Sequence, residues 1–135
     1  MSADRTSGRR IATVTLVVAD YDEAIAWYTR MLGFILFEDT DLGGGKRWVT
    51  VGPQHDGPRL LLAEAKDGSE RTAIGNQTGG RVFLFLETDD FERDHRAMIE
   101  RGVDFREAPR HEAYGAVAVF ADLYGNLWDL LQPTV

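Results

Sequence analysis

The chain of 135 residues contains no cysteine. Disulfides, thiolate metal ligands and cysteine nucleophiles are therefore excluded together, and the redox state of the compartment leaves no mark on the sequence. No apolar run approaches the length needed to span a bilayer. The polar stretch Met1 to Arg10 lacks the apolar core of a signal peptide, which predicts a cytoplasmic protein with no membrane partner. Basic residues are also scarce: 15 Lys and Arg against 22 Asp and Glu give a net charge of −7 and a pI near 4.9. That balance argues against a nucleic-acid partner and favours solubility and cationic ligands. What is present is enough for a core. With 44% hydrophobic and 27% charged residues, the chain predicts one globular domain over residues 1–135.

Ile11 to Val18 is apolar and β-branched and reads as a strand. A helix is predicted next: Asp20 and Glu23 have capping-box spacing, Tyr21, Ile25, Tyr28 and Leu32 share a face, and Gly33 supplies the stop. Strand-like runs follow at Phe34 to Glu38, Lys46 to Val51 and Arg59 to Glu64. Lys66 to Gly80 reads as a connection. The pattern then restarts with a strand at Arg81 to Leu86, capping-box spacing at Asp89 and Glu92, and an inner helix face of Phe91, His95, Met98 and Ile99 closed by Gly102. Runs at Val103 to Arg106, Ala116 to Ala121 and Asn126 to Gln132 complete a second set.

The recurrence is an internal duplication of a βαβββ unit, module 1 about residues 11–65 and module 2 about 81–132. Val14, Leu16 and Val18 match Val82, Leu84 and Leu86 at an offset of 68; Asp20, Glu23, Gly33 and Glu38 match Asp89, Glu92, Gly102 and Glu107 at 69; Val49, Val51, Gly57 and Leu62 match Val117, Val119, Gly125 and Leu130 at 68.

Three segments, VTLVVADYDEAIAWYTRMLGF, FLETDDFERDHRAMIERGVDF and VAVFADLYGNLWDLLQP, resemble the vicinal oxygen chelate superfamily of glyoxalases, bleomycin-resistance proteins and extradiol dioxygenases. The resemblance implies an α+β fold, two tandem βαβββ modules forming a curled mixed sheet around a cavity, commonly completed by a homodimer. It also implies four metal-ligand positions, on the first and last strand of each module, which fall here on Thr13, Leu61, Phe83 and Asp129. One carboxylate remains among them. A protein-bound divalent metal takes about three or more N, O or S ligands, so the reading is metal: none, and cofactors: none. Glu64, three residues from Leu61, enters the site only if the strand slips.

Period-2 alternation places Thr13, Thr15 and Val17 on one cavity face with Arg59, Leu61 and Ala63, Phe83 and Phe85, and Asp129. Val14, Leu16, Val18, Val82, Leu84 and Leu86 take the other. Threonines, two phenylalanines and a lone carboxylate suit an organic molecule with an apolar body and a polar handle. Within the apolar run LWDLLQ, Asp129 reads either as ligand anchor or general base, or as a carboxylate paired with Arg59 or Arg81. Of Arg47 and Trp48, alternation sends one to the cavity, Trp48 to stack on a flat ligand or Arg47 to hold a carboxylate; sheet packing and a solvated charge are the competing readings. Trp27 and Trp128 read as packing residues, His55 and His95 as structural or surface ones, and His111, Glu112 and Tyr114 as a loop near the cavity mouth. Gly43-Gly44-Gly45-Lys46 precedes a strand and so is no phosphate loop.

The expected function is metal-independent binding of a small organic ligand, with sequestration of a drug or metabolite as the role. The alternative is a lyase, isomerase or dioxygenase of the superfamily with Asp129 as its catalytic residue. A third reading is an interaction module whose cavity is filled by side chains.

Overall fold

The computed structural model describes residues 8–135; Met1 to Ser7, most of the polar N-terminal stretch, lie outside the described residues. Module 1 comprises β1 (Thr13–Val18), α1 (Tyr21–Met31), β2 (Ile35–Gly43), β3 (Lys46–Gly52) and β4 (Arg59–Glu64). A short α2 (Gly68–Arg71) lies in the connection. Module 2 comprises β5 (Val82–Glu87), α3 (Phe91–Arg101), β6 (Asp104–Phe105), β7 (Arg110–Glu112), β8 (Gly115–Ala121) and β9 (Leu127–Pro133). The class is mixed α+β with two sheets, ordered β1-β4-β3-β2 and β5-β9-β8-β6 with β7 also on β8. In each module the first and last strands run parallel and the remaining pairs antiparallel.

Alternation separates the faces as the apolar pattern requires. Leu16 and Val18 are fully buried with Val49, Val51 and Leu62, whereas Thr13 and Thr15 are exposed. One core draws on both modules, from Ala24 and Tyr28 of α1 through Phe34 to Met98 of α3 and Trp128 and Leu130 of β9. Helices α1 and α3 pack on the core face of the sheets. The opposite faces are left open.

Asp122 holds the modules together. Only 5% exposed, it accepts from the Tyr28 hydroxyl at 2.6 Å, the Asn126 amide group at 3.0 Å, the Trp128 indole at 3.4 Å, and the backbone N–H groups of Tyr124 and Asn126. Burial, reinforced by the Asp122 charge, raises the Tyr28 hydroxyl pKa well above its ordinary value, so it stays a donor. A second tyrosine crosses the junction: Tyr124 donates to Glu23 at 2.8 Å, and burial followed by that bond pushes it up to about 12. The connection contributes through Gln77, whose side-chain oxygen accepts from Val17 N–H at 3.4 Å while its backbone N–H donates to Asn126. Gly75 sits in the left-handed region, and a Cβ there would lie 2.1 Å from the Tyr124 carbonyl oxygen.

The duplication holds, but its offsets differ from those found by matching residue types. The α3 N-cap is Asp90, accepting from Arg93 N–H, not Asp89; Asp20 caps α1 through Glu23 N–H. The helices therefore stand 70 residues apart, as do Leu16 and Leu86, which face Leu62 and Leu130. Thr50 and Val119, opposite Leu61 and Asp129, stand 69 apart, and β4 and β9 stand 68 apart. One residue is lost in each connection. A shift of two preserves alternation, so apolar matching alone cannot detect it. Module 2 also differs in its second strand. Residues 110–112, expected in a loop, pair with β8, and what is one long strand in module 1 is broken in two around Pro109.

Replacing Asp122 with Ala orphans several buried donors and is expected to cost about 3–4 kcal/mol, or roughly 10 °C in Tm. Tyr28→Phe removes one donor and should cost about 1–2 kcal/mol. Thermal unfolding of the two variants checks the ranking; an unshifted Asp122→Ala would show that the junction is held elsewhere.

Candidate functional site

The open face of module 2 centres on Asp129. Its neighbours across the sheet are Phe85 on β5 and Val119 on β8. Phe85 is 61% exposed although it is a large aromatic side chain, whereas Asp129 is 7% exposed and its buried Oδ1 has no hydrogen-bond partner. Burial raises the Asp129 pKa; Arg110 pulls it down and Glu107 pushes it up. Those two form a pair themselves, with Arg110 Nε 3.0 Å from both Glu107 oxygens, and Arg110 also bridges to Glu112. Glu107 Oε2 further accepts from Val119 N–H at 3.0 Å. The cation acting on Asp129 is thus Arg110, not Arg59 or Arg81, and its guanidinium is already committed to two glutamates. This leaves Asp129 a desolvated acceptor beside an exposed aromatic ring.

The open face of module 1 is built around Glu38. Its Oε1 accepts from the Trp48 indole at 3.2 Å and the Thr50 hydroxyl at 3.0 Å and lies 3.7 Å from Arg59 Nη1. Arg59 stacks over Phe37 at 3.8 Å. Leu61 pairs with Thr15 and Thr50, and Thr13 with Arg59. Trp48, 39% exposed, is the aromatic wall. A cavity of about 530 Å³ is lined by Arg10, Thr13, Glu38, His55, Asp56 and Arg59.

Two expected site residues lie elsewhere. Phe83 does not share the Phe85 face: the β5–β9 register slips between Val82 and Leu84, and at this bulge the Phe83 ring turns onto Trp128, centroids 6.0 Å apart, against the core. Arg47 is directed to the α1 side, where it binds Asp39 through two nitrogens and Asp22 at 2.9 Å and stacks over Tyr21. Its fork is occupied, which removes the basis for a ligand carboxylate there. Arg59 lies on the open face as alternation predicts, but with Glu38 rather than Asp129; the residues that sequence reasoning did not place there are Glu38, Glu107 and Arg110. The first two were visible as a repeated acid at an offset of 69, a signal used for the duplication alone.

The remaining motifs have local explanations. Trp27 and Trp128 pack in the aromatic cluster with Tyr28. His95 lies between Phe91 and Phe105, and desolvation lowers its pKa. His111 lines a cavity with Phe91, His95, Ile99 and Pro109 beside α3 rather than the open face. The triple glycine turns the β2–β3 hairpin.

Residues 10–130 match the family model of the Glyoxalase/Bleomycin resistance protein/Dioxygenase superfamily. The chain belongs to this superfamily. An uncharacterized protein of Shewanella frigidimarina is 55% identical over 124 residues, covering 90% of this chain and 92% of the relative. Among solved structures, UcmS2 superposes with a TM-score of 0.80 at 28% identity, covering 93% of this chain and 98% of that one. TnmS3, described as an antibiotic binding protein from Streptomyces sp. CB03234, gives 0.76 at 28% identity, with 93% and 97% covered.

The superfamily's metal does not fit these residues. Leu61 has no donor atom, Phe83 is packed on Trp128, and Thr13 and Asp129 alone offer oxygen. Among the described residues no group of three or more His, Cys, Asp or Glu side chains is placed to hold a metal ion, and no described helix is long and apolar enough to cross a membrane.

Because the folded state raises the Asp129 pKa, the folded protein holds that proton more tightly than the unfolded chain. Stability from this group is complete below the ordinary carboxylate range and is lost as pH rises through the raised value. Asp129→Asn is therefore expected to raise Tm at pH 7 to 8, with the gain vanishing near pH 4. Equal Tm differences at both ends of a pH series would contradict this assignment.

Proposed function

We propose that the protein binds a small organic molecule without a protein-held metal, by an aromatic surface and one desolvated acceptor, and sequesters a drug or metabolite. The observation that carries this reading is Asp129, a buried carboxylate oxygen with no partner beside the exposed ring of Phe85. Leaving such an acceptor unpaired costs free energy that a ligand's donor recovers. A cationic or N–H-bearing handle on an aromatic body meets that requirement and agrees with the net charge of −7. Likeness to an antibiotic binding protein supports the same class. Thr13, Thr15, Leu61 and Trp48 lie on the open face of the other sheet, and in this reading they contribute contacts separate from those of Asp129 and Phe85. Phe85 stands 61% exposed in one chain, and in this reading the protein is a homodimer whose second copy borders the ring and leaves room for the ligand against it.

Titration of a panel of cationic and neutral aromatic compounds, followed by calorimetry, tests the reading. Asp129→Ala is expected to weaken binding by about 1.5–3 kcal/mol, roughly 10- to 150-fold. Sedimentation equilibrium should give twice the chain mass of 15.1 kDa. A panel with no saturable binder would overturn the proposal.

The raised Asp129 pKa favours a second reading, an enzyme in which this carboxylate removes a proton next to a carbonyl. In that case Asp129→Asn lowers turnover far more than affinity.

A further inference from the structure

The two modules differ at one seam. In module 2, β8 and β9 pair along their whole length, from Gly115 opposite Pro133 to Ala121 opposite Leu127. In module 1, β3 and β4 pair only at Val49, Thr50 and Val51, opposite Leu62, Leu61 and Leu60. The outer edges of both strands stay paired, β3 with β2 through Lys46 and β4 with β1 through Glu64. Only the seam between them is open. Continuing the ladder would set Arg47 against Glu64, and the equivalent pair in module 2, Ala116 opposite Gln132, is formed.

One difference beside the seam is a hydroxyl. Both helices begin alike: Tyr21 N–H donates to the Glu64 side chain at 3.2 Å, and Phe91 N–H donates to the Gln132 side chain at 2.8 Å. Phe91 has nothing further to offer. The Tyr21 hydroxyl accepts from Arg47 N–H at 3.2 Å, taking the bond that a Glu64 carbonyl would take, while the Arg47 guanidinium packs over its ring at 5.0 Å. Since Arg47 N–H points into the seam, alternation directs Arg47 C=O and Glu64 N–H and C=O there too.

A cavity of about 650 Å³ occupies the opening; Tyr21, Leu42, Trp48, Leu61 and Ala63 line it together with the charged Lys46, Arg47, Glu64, Lys66 and Glu70. Trp48 is 39% and Leu42 53% exposed. An aromatic and aliphatic wall beside one unpaired strand residue, with charged side chains around it, describes a site for a short peptide-like group. We infer that the split between β3 and β4 is a second binding site, which takes a small aromatic amide that pairs with the Glu64 backbone as a strand residue does and packs its ring on Trp48. The inference shares Trp48 and Leu61 with the module 1 contacts proposed above, but it does not involve Asp129 or Phe85.

The test uses N-acetyl-phenylalaninamide as probe, with ¹H–¹⁵N NMR titration of the full chain. Saturable shifts at Arg47, Trp48 and Glu64 are expected. Tyr21→Phe copies the residue found at the start of α3, should let the Arg47–Glu64 pair form, and should weaken the probe at least about tenfold. Trp48→Ala, which removes the wall without closing the seam, should weaken it as well. Shifts confined to Phe85, Val119 and Leu131, absence of saturation, or equal affinity in wild type and both variants would each overturn the inference. Failure of the amide with retained binding of cationic aromatics overturns the cleft alone; failure of both overturns the ligand-binding reading too.

Discussion

The arrangement of this protein depends on one buried carboxylate. Asp122 gathers donors from α1, from the β8–β9 turn and from β9, so one side chain orders the turn of the second module and ties it to the helix of the first. A carboxylate taken out of water is tolerated only with its lone pairs filled. Here they are filled from both halves of the chain, which fixes how the modules meet. Tyr28 and Trp128 then join Phe34 and Phe120 in one aromatic cluster behind both sheets.

Packing the helices against a common core leaves the other face of each sheet uncovered, and duplication gives those faces corresponding positions with different chemistry. Glu38 and Glu107 occupy equivalent places, and each is held by an arginine and by donors of the neighbouring strand. Leu61 and Asp129 are also equivalent, yet one is aliphatic and the other an unpaired buried acid. Tyr21 and Phe91 differ by a hydroxyl, which holds Arg47 N–H beside the open seam and has no counterpart beside the closed one. Function in this superfamily member is read from such differences between halves, because the fold itself is shared by proteins of many activities.

The α+β class, the βαβββ repeat and the division into core and open faces were legible in the chain. Each is written in short-range pattern: alternation in strands, capping residues before helices, glycines after them. The mismatch at ligand position Leu61 was legible too, because an aliphatic side chain donates nothing to a metal in any fold. Less was visible in the pairing. Phe83 was assigned to the open face because alternation assumes an unbroken ladder, and the bulge that turns it inward arises from how β5 meets β9. Arg47 was a free cation on paper; Asp22 and Asp39 reach it only once α1 and β2 are in place.

By itself, then, the sequence determined what each residue can do and which neighbours along the chain it must agree with. It settled the absence of thiol chemistry, the acidic balance, the two repeats and the lone acid among the four expected ligand positions. Only the tertiary structure decided which groups are desolvated and which are satisfied. The unpaired oxygen of Asp129, the occupied fork of Arg47 and the bond of Arg47 N–H to Tyr21 all depend on partners that other elements bring up, or on their absence, and such burial and hydrogen bonding exist only after the chain has folded.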